Sequence, residues 1–334
     1  MILDPRPKTR REELYGRDSE LRAVESIIIR NKMPVTLITG LKRIGKTSLA
    51  LVAINDMAGD DNYRFVYIES WRLEKRGQLG AILARSLGVE PSEDPVKVLE
   101  KTRGTGRYTF IVLDEPQQAP RRVRREFPKL AEAITLTIRH ASLIVVSSAP
   151  GLALDAIGFG GPGAEQGRST DYTVWLGPLP RDEAEALLMD GLREQGVSPE
   201  PETVRDAVEF FEGVPGWLVF FGQRLLAGMK PEQIYREAIQ VALEEIRSLA
   251  PRPQLLLKVL AEGHNSWTEA LQALEDLEDR IVSRNGFAKA LHYLEKRALV
   301  KDYQVLDPVY RRAARILDPR EPLAQLGLAP LPEA

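Results

Sequence analysis

One stretch constrains this chain more than any other. Gly40-Leu41-Lys42-Arg43-Ile44-Gly45-Lys46-Thr47-Ser48 matches G-x-x-x-x-G-K-[ST] in full. It follows the apolar run 35–39 and opens the helical pattern 47–58, so a strand, a glycine-rich loop and a helix come in the order that this motif requires. The glycines let successive backbone N–H groups curl around an anionic group, and the helix N-terminus adds the positive end of its dipole. Lys46 is placed to neutralise the β- and γ-phosphates of a nucleotide, and Thr47 offers a hydroxyl to Mg²⁺. The residues expected to hold the nucleotide along this loop are Gly40, Lys42, Arg43, Ile44, Gly45, Lys46, Thr47 and Ser48.

A phosphate site of this kind needs an acid on a neighbouring strand. Phe110-Ile111-Val112-Leu113-Asp114-Glu115 is an apolar run ending in two carboxylates. Asp114 is expected in the Mg²⁺ shell with Thr47, and Glu115 is expected to polarise the attacking water. A later apolar run ends in Ser147-Ser148. Ser147 either faces the γ-phosphate or lytic water, or merely terminates its strand. With Lys46, Asp114 and Glu115, the expected reaction is Mg²⁺-dependent hydrolysis of a nucleoside triphosphate.

Around this motif the first half alternates strand and helix patterns. Candidate strands are 35–39, 64–68, 109–113, 142–147 and 173–176, each rich in Val, Ile, Thr or aromatics. Nearly continuous apolar strands are those buried on both faces, so a parallel sheet wrapped by helices is expected. The glycine-dense segment 158–167 predicts a mobile loop. After Pro180 strand signals stop, and four helices are expected at 181–195, 200–212, 215–228 and 231–249. Pro251 and Pro253 read as a linker. The stretch 254–316 reads as three helices, an extended segment at 299–306 and a final helix.

Composition removes whole classes of chemistry. The 334 residues contain no cysteine and three histidines, and carry a formal net charge of −2. Thiol catalysis and cysteine-ligated metals are excluded, and a histidine-built metal site is not expected. No apolar run reaches the ~18 residues of a membrane span, and the N-terminus lacks the apolar core of a secretory signal. A cytoplasmic protein without membrane partners is the expectation.

Tyr15-Gly16-Arg17 with Glu20-Leu21, then GLKRIGKTSL, FIVLDEPQQ, LIVVSS and Gly213-Val214-Pro215-Gly216, resemble the archaeal ATPase family in the STAND branch of AAA+-like P-loop NTPases. The C-terminal pattern from His292-Tyr293-Leu294 to Asp307-Pro308 is similar to that family's winged helix, so the resemblance spans about residues 12–316. It implies an α/β P-loop NTPase core with a five-stranded parallel sheet, a helical lid and a winged helix-turn-helix. On this reading the domains are 1–178, 179–250 and 251–318, with a tail at 319–334. The resemblance also implies that Tyr15, Gly16 and Arg17 border the adenine and that Pro215 packs on the base or sugar. A Gly-Arg pair before the fifth strand falls at Gly167-Arg168, making Arg168 a candidate phosphate sensor, with Arg139 as a second. The Ser-Ser end of the fourth strand departs from the basic residue of apoptosis-type STAND proteins.

Two charged regions remain. The run 121–129 holds five basic residues and one acid; it is either a solvated loop and helix start or a contact for nucleic acid or a protein. Residues 281–316 carry +5, against −3 for 251–280. Phe287, Leu291 and Leu294 share the core face of the expected recognition helix, leaving Arg284, Lys289 and Lys296 for duplex DNA. The winged helix could instead contact a regulatory protein. Two functions are therefore expected: a nucleotide-dependent switch hinged near 179–182 or 248–253, or an initiator-like DNA-binding ATPase.

Overall fold

The computed structural model describes residues 1–27, 32–159 and 173–328. Its backbone divides into two compact units, residues 6–179 and residues 1–5 together with 180–334.

The first unit is built on a parallel sheet. Its strands are β1 (Val35–Gly40), β2 (Tyr63–Glu69), β3 (Tyr108–Asp114), β4 (Ala141–Ser147) and β5 (Thr173–Leu176). Each lies within one residue of the stretch expected from composition. In space the order is β2-β3-β4-β1-β5. Every residue of β4 is buried, as is β3 from Thr109 onward. That burial on both faces is what an uninterrupted apolar strand demands, at about 1.5–3 kcal/mol for each large apolar side chain. Helices Gln78–Leu87, Pro95–Lys101 and Phe127–Leu136 bring Leu83, Val98, Phe127 and Leu130 into the same apolar cluster as Ile111, Leu113, Leu143 and Val145. Parallel pairing puts Glu69 beside Asp114 and Thr39 beside Ser147, so the strands end together along one edge.

The second unit is mostly helical. Helices Arg181–Arg193, Pro201–Phe211, Pro215–Leu226 and Pro231–Arg247 close around a stack of Phe211, Trp217, Phe221 and Tyr235. Residues 1–5 belong here because Leu3 is buried against Gly191 and Gly222; a Cβ on either glycine would come within 2.8 Å of Leu3.

Pro251 and Pro253 do not form a linker. Ala250 caps the helix Pro251–Ala261, and a proline in the first turn loses no hydrogen bond because that N–H has no helical partner. Gln254 then ties the junction down, its buried amide donating to the Arg247 and Leu249 carbonyls at 3.2 and 2.8 Å. Helices Trp267–Glu278 and Arg284–Glu295 follow. The expected extended segment is a hairpin of β6 (Val300–Lys301) and β7 (Gln304–Val305). Asp302 and Tyr303 make its turn with φ of 50° and 61°, the left-handed pair of a tight hairpin. Helix Pro308–Arg315 then packs against Pro231–Arg247 and Pro251–Ala261.

Candidate functional site

The site lies where β1, β3 and β4 end. Gly40 closes β1 with φ 145°, and a Cβ there would sit 2.3 Å from the Leu176 carbonyl, so no larger residue fits between β1 and β5. The chain then turns through Arg43 and Gly45, at φ 65° and 96°, and enters the helix Lys46–Met57. These left-handed residues let the loop backbone curl ahead of the helix N-terminus. Lys46 is buried, and its Nζ donates to the Leu41 carbonyl at 2.7 Å. Burial pushes its pKa down to about 8, against the opposing pull of Glu115 and Asp114. A buried ammonium held by a single carbonyl is under-satisfied, and a polyphosphate would supply the missing charge.

Asp114, at the end of β3, is also buried. Its Oδ2 accepts from the Thr47 hydroxyl at 3.0 Å and from the Tyr67 hydroxyl at 2.5 Å. Its Oδ1 is buried with no hydrogen-bond partner. Desolvation raises its pKa, while the Tyr67 and Thr47 hydroxyls act in the opposite direction. A hydroxyl and a carboxylate with one unfilled oxygen are hard donors, and they fit Mg²⁺.

Glu115 follows with φ 49°. That left-handed step turns its side chain back over the end of β4, where Oε1 accepts from the Ser148 N–H at 2.9 Å. Oε2 accepts from the Ser147 hydroxyl at 3.3 Å and from the Gln117 amide. The carboxylate is thus held by β4 and its own loop, near enough to Lys46 to act on its charge. Ser147 is buried, and its hydroxyl also approaches Gln117 Oε1 at 3.1 Å and accepts from the Ala149 N–H at 2.9 Å. The geometry gives Ser147 a contact with Glu115, which neither expected role named.

Arg17 has structural partners that the resemblance did not name. Its guanidinium is buried, donating to the Gly177 carbonyl at 2.6 Å and to the Ile44 carbonyl at 3.3 Å, and pairing with Glu20 at 2.7 Å. It fastens the glycine loop to the chain beyond β5, and Gly16 precedes it with φ 56°. Ser48 also turns away from the loop mouth, its hydroxyl accepting from the Lys8 N–H at 3.0 Å. Tyr15 is half-buried.

No protein-family model and no curated protein matches the chain. Solved structures do. The Walker-type ATPase PABY2304 of Pyrococcus abyssi is 22% identical, with a TM-score of 0.73 over 95% of this chain and 100% of that one. The ORC2 protein of Aeropyrum pernix, in ADPNP-ADP complexes, is 14% identical, with a TM-score of 0.65 over 98% of both chains. CDC6P from Pyrobaculum aerophilum is 15% identical, with a TM-score of 0.52 over 97% of this chain and 98% of that one. The fold is that of the P-loop NTPases.

Within that fold, two site residues had no signal in the sequence. Tyr67 lies in the middle of a strand pattern, and only the register of β2 on β3 shows that its ring reaches Asp114. Gln117 stood in the quoted FIVLDEPQQ stretch without a role; the 3₁₀ turn Pro116–Gln118 folds it back on Glu115.

Arg168 lies outside the described residues, as does most of the 158–167 segment. Arg139 precedes β4, whose first residue, Ala141, pairs with Thr109. Five residues of strand, about 16 Å at ~3.3 Å each, separate that level from Asp114, so Arg139 is at the wrong edge to sense phosphate. Pro215 belongs to the second unit, where it opens the helix Pro215–Leu226.

The basic run of 121–129 is partly absorbed by the core: Phe127 is fully buried, and Glu126 accepts from the Gly77 N–H at 2.6 Å. Arg122, Arg125 and Lys129 line an open cleft of about 590 Å³ together with Arg76, Glu93 and Asp94. In the C-terminal segment, Phe287, Leu291 and Leu294 are buried as their spacing requires. The net charge of this segment overstates its free cations. Arg311 and Arg312 pair with Glu212, Arg315 donates to the Ala261 carbonyl at 2.6 Å, and Arg297 lies over the Tyr293 ring at 3.5 Å. Lys296 is half-buried and engaged, while Arg284 and Lys289 stay exposed. Among the described residues no helix is long and apolar enough to cross a membrane.

Proposed function

We propose that this chain binds ATP or ADP at the Gly40–Ser48 loop and hydrolyses ATP with Mg²⁺. The observation that supports this best is the convergence of Lys46, Thr47, Asp114 and Glu115 at the ends of β1 and β3, the two strands that flank β4, with Asp114 Oδ1 buried and unpaired. Thr47 and Asp114 would hold the metal, which supplies charge neutralisation at the phosphates when bound. Lys46 would leave the Leu41 carbonyl for the phosphates. Glu115 would act as the general base once released from Ser147, Ser148 and Gln117. That restraint fits slow turnover. The decisive experiment is a nucleotide-binding and phosphate-release assay with Mg²⁺ and with EDTA. Absence of both binding and turnover would overturn the assignment.

The wider reading is a cytoplasmic AAA+-like ATPase of the replication-initiator kind, with a winged helix that binds duplex DNA. The likeness to ORC2 and CDC6P over nearly the whole chain favours this over a STAND-type switch. Three helices, a short hairpin and the exposed Arg284 and Lys289 supply a local surface for it. Arg168, Pro215, Tyr15 and Gly16 remain proposed nucleotide contacts through the resemblance. Arg17 remains one as well, and it also holds the loop through the Ile44 and Gly177 carbonyls.

A further inference from the structure

We propose that Tyr67 is a positioning residue for Asp114, fixing which carboxylate oxygen faces the metal. The inference rests on the Mg²⁺–nucleotide reading of the site and concerns a strand residue that does not itself touch nucleotide in that reading.

Asp114 Oδ2 accepts two hydroxyls, from Thr47 at 3.0 Å and Tyr67 at 2.5 Å. Their fates differ on loading. Thr47 would give its hydroxyl oxygen to the metal, so its hold on Oδ2 is not independent of loading. Tyr67 would have no metal contact: it lies in β2 at the register position of Val112 of β3, is half-buried, and meets Asp114 through its hydroxyl alone. Its hydroxyl therefore becomes the standing partner of Oδ2. A carboxylate rotates readily about its last bond, and its two oxygens are chemically equal. A fixed donor on Oδ2 breaks that equality and leaves Oδ1, the buried oxygen without a partner, as the oxygen presented to the metal shell. Outer-shell partners of this type are worth about 10–100-fold in metal affinity or activity.

Phenylalanine keeps the ring and removes only the hydroxyl, so Tyr67→Phe isolates this contact. Binding of a fluorescent ADP analogue to the full chain is measured in EDTA and then across a Mg²⁺ titration. Wild type, Tyr67→Phe and Asp114→Asn are run together. Mn²⁺ binding in the presence of ADP, read by electron paramagnetic resonance, gives a second measure independent of turnover. In wild type the metal should tighten binding, and Asp114→Asn should lose most of that tightening. Tyr67→Phe should need about tenfold more Mg²⁺ for half-maximal tightening, bind Mn²⁺ correspondingly more weakly, and match wild type in EDTA. An unchanged metal requirement in Tyr67→Phe, with Asp114→Asn impaired, would overturn the proposal. So would equal weakening with and without metal, which marks a purely structural role. A wild type whose nucleotide binding ignores Mg²⁺ would instead overturn the underlying reading, and the proposal with it.

Discussion

The Arg17 guanidinium donates to the Gly177 carbonyl at 2.6 Å, joining residues 160 positions apart. The same group reaches the Ile44 carbonyl inside the glycine loop. One buried cation thus ties the start of the helix Asp18–Glu25, the loop and the chain just past β5 together. Arg17→Ala would leave two carbonyls and the Glu20 carboxylate without their donor. The expected cost is about 2–4 kcal/mol, read as a lower urea midpoint for the core unit, with weaker nucleotide binding. Arg17→Lys should recover only part, since an ammonium lacks the planar fork that spans these partners. An alanine variant as stable as wild type would refute the clamp.

Lys46→Ala should abolish nucleotide binding, because no other side chain in the loop places a buried point charge. In wild type the pH dependence carries the same information. With a native pKa of about 8, the Lys46 amine is largely neutral above that pH in the empty site, and bound polyphosphate must restore its proton. ATP affinity should therefore fall as pH rises above 8, with proton uptake measurable by calorimetry in buffers of different ionisation enthalpy. A flat affinity from pH 7 to 9.5 would contradict this.

Glu115→Gln keeps the shape of the side chain but cannot accept a proton from water. ATP affinity should stay near wild type while hydrolysis drops by ~10²–10⁴. Ser147→Ala removes one restraint on Glu115 and should change kcat without changing nucleotide affinity. If Ser147 touched the γ-phosphate instead, the alanine variant would lose affinity for ATP but not for ADP.

Glu126 offers a test remote from the nucleotide. Burial pushes its carboxyl above the usual carboxylate range, against the Gly77 N–H and Arg76. Between the unfolded value and this raised native value, the folded chain keeps a proton that the unfolded chain has lost. Stability contributed by the protonated form is thus present at low pH and lost as pH rises through that window. Denaturation midpoints across the window should show a smaller decline in Glu126→Gln than in wild type. Parallel profiles would refute this.

The helix Arg284–Glu295 decides whether DNA is a partner. Two exposed cations, Arg284 and Lys289, replace the three expected from sequence. If both contact phosphate, replacing them with alanine should flatten the plot of log K against log salt by about 1.8, at ~0.9 per contact. Anisotropy with a duplex at several salt concentrations measures the slope, and nucleotide binding should be unchanged. No duplex binding at low salt, with ATP or with ADP, would favour the protein-switch reading.

The sequence by itself determined the strands, the glycine loop and the acidic strand end. These are local patterns: burial on both faces forces an apolar run, and a phosphate loop forces glycines at set spacing. It also placed Phe287, Leu291 and Leu294 on one buried helix face, because helical periodicity is a property of neighbours along the chain. What lay beyond local pattern was decided by tertiary structure. Tyr67 meets Asp114 only through strand register, and Arg17 meets Gly177 only because β5 returns beside β1. Arg311 and Arg312 lose their free charge to Glu212, a hundred residues earlier, and a count of charges along the chain holds no record of such pairing. Pro251 illustrates the same limit at short range. A proline ends a helix or begins one with equal chemical ease, and the Gln254 amide bridging to Arg247 and Leu249 is what makes the turn a packed junction.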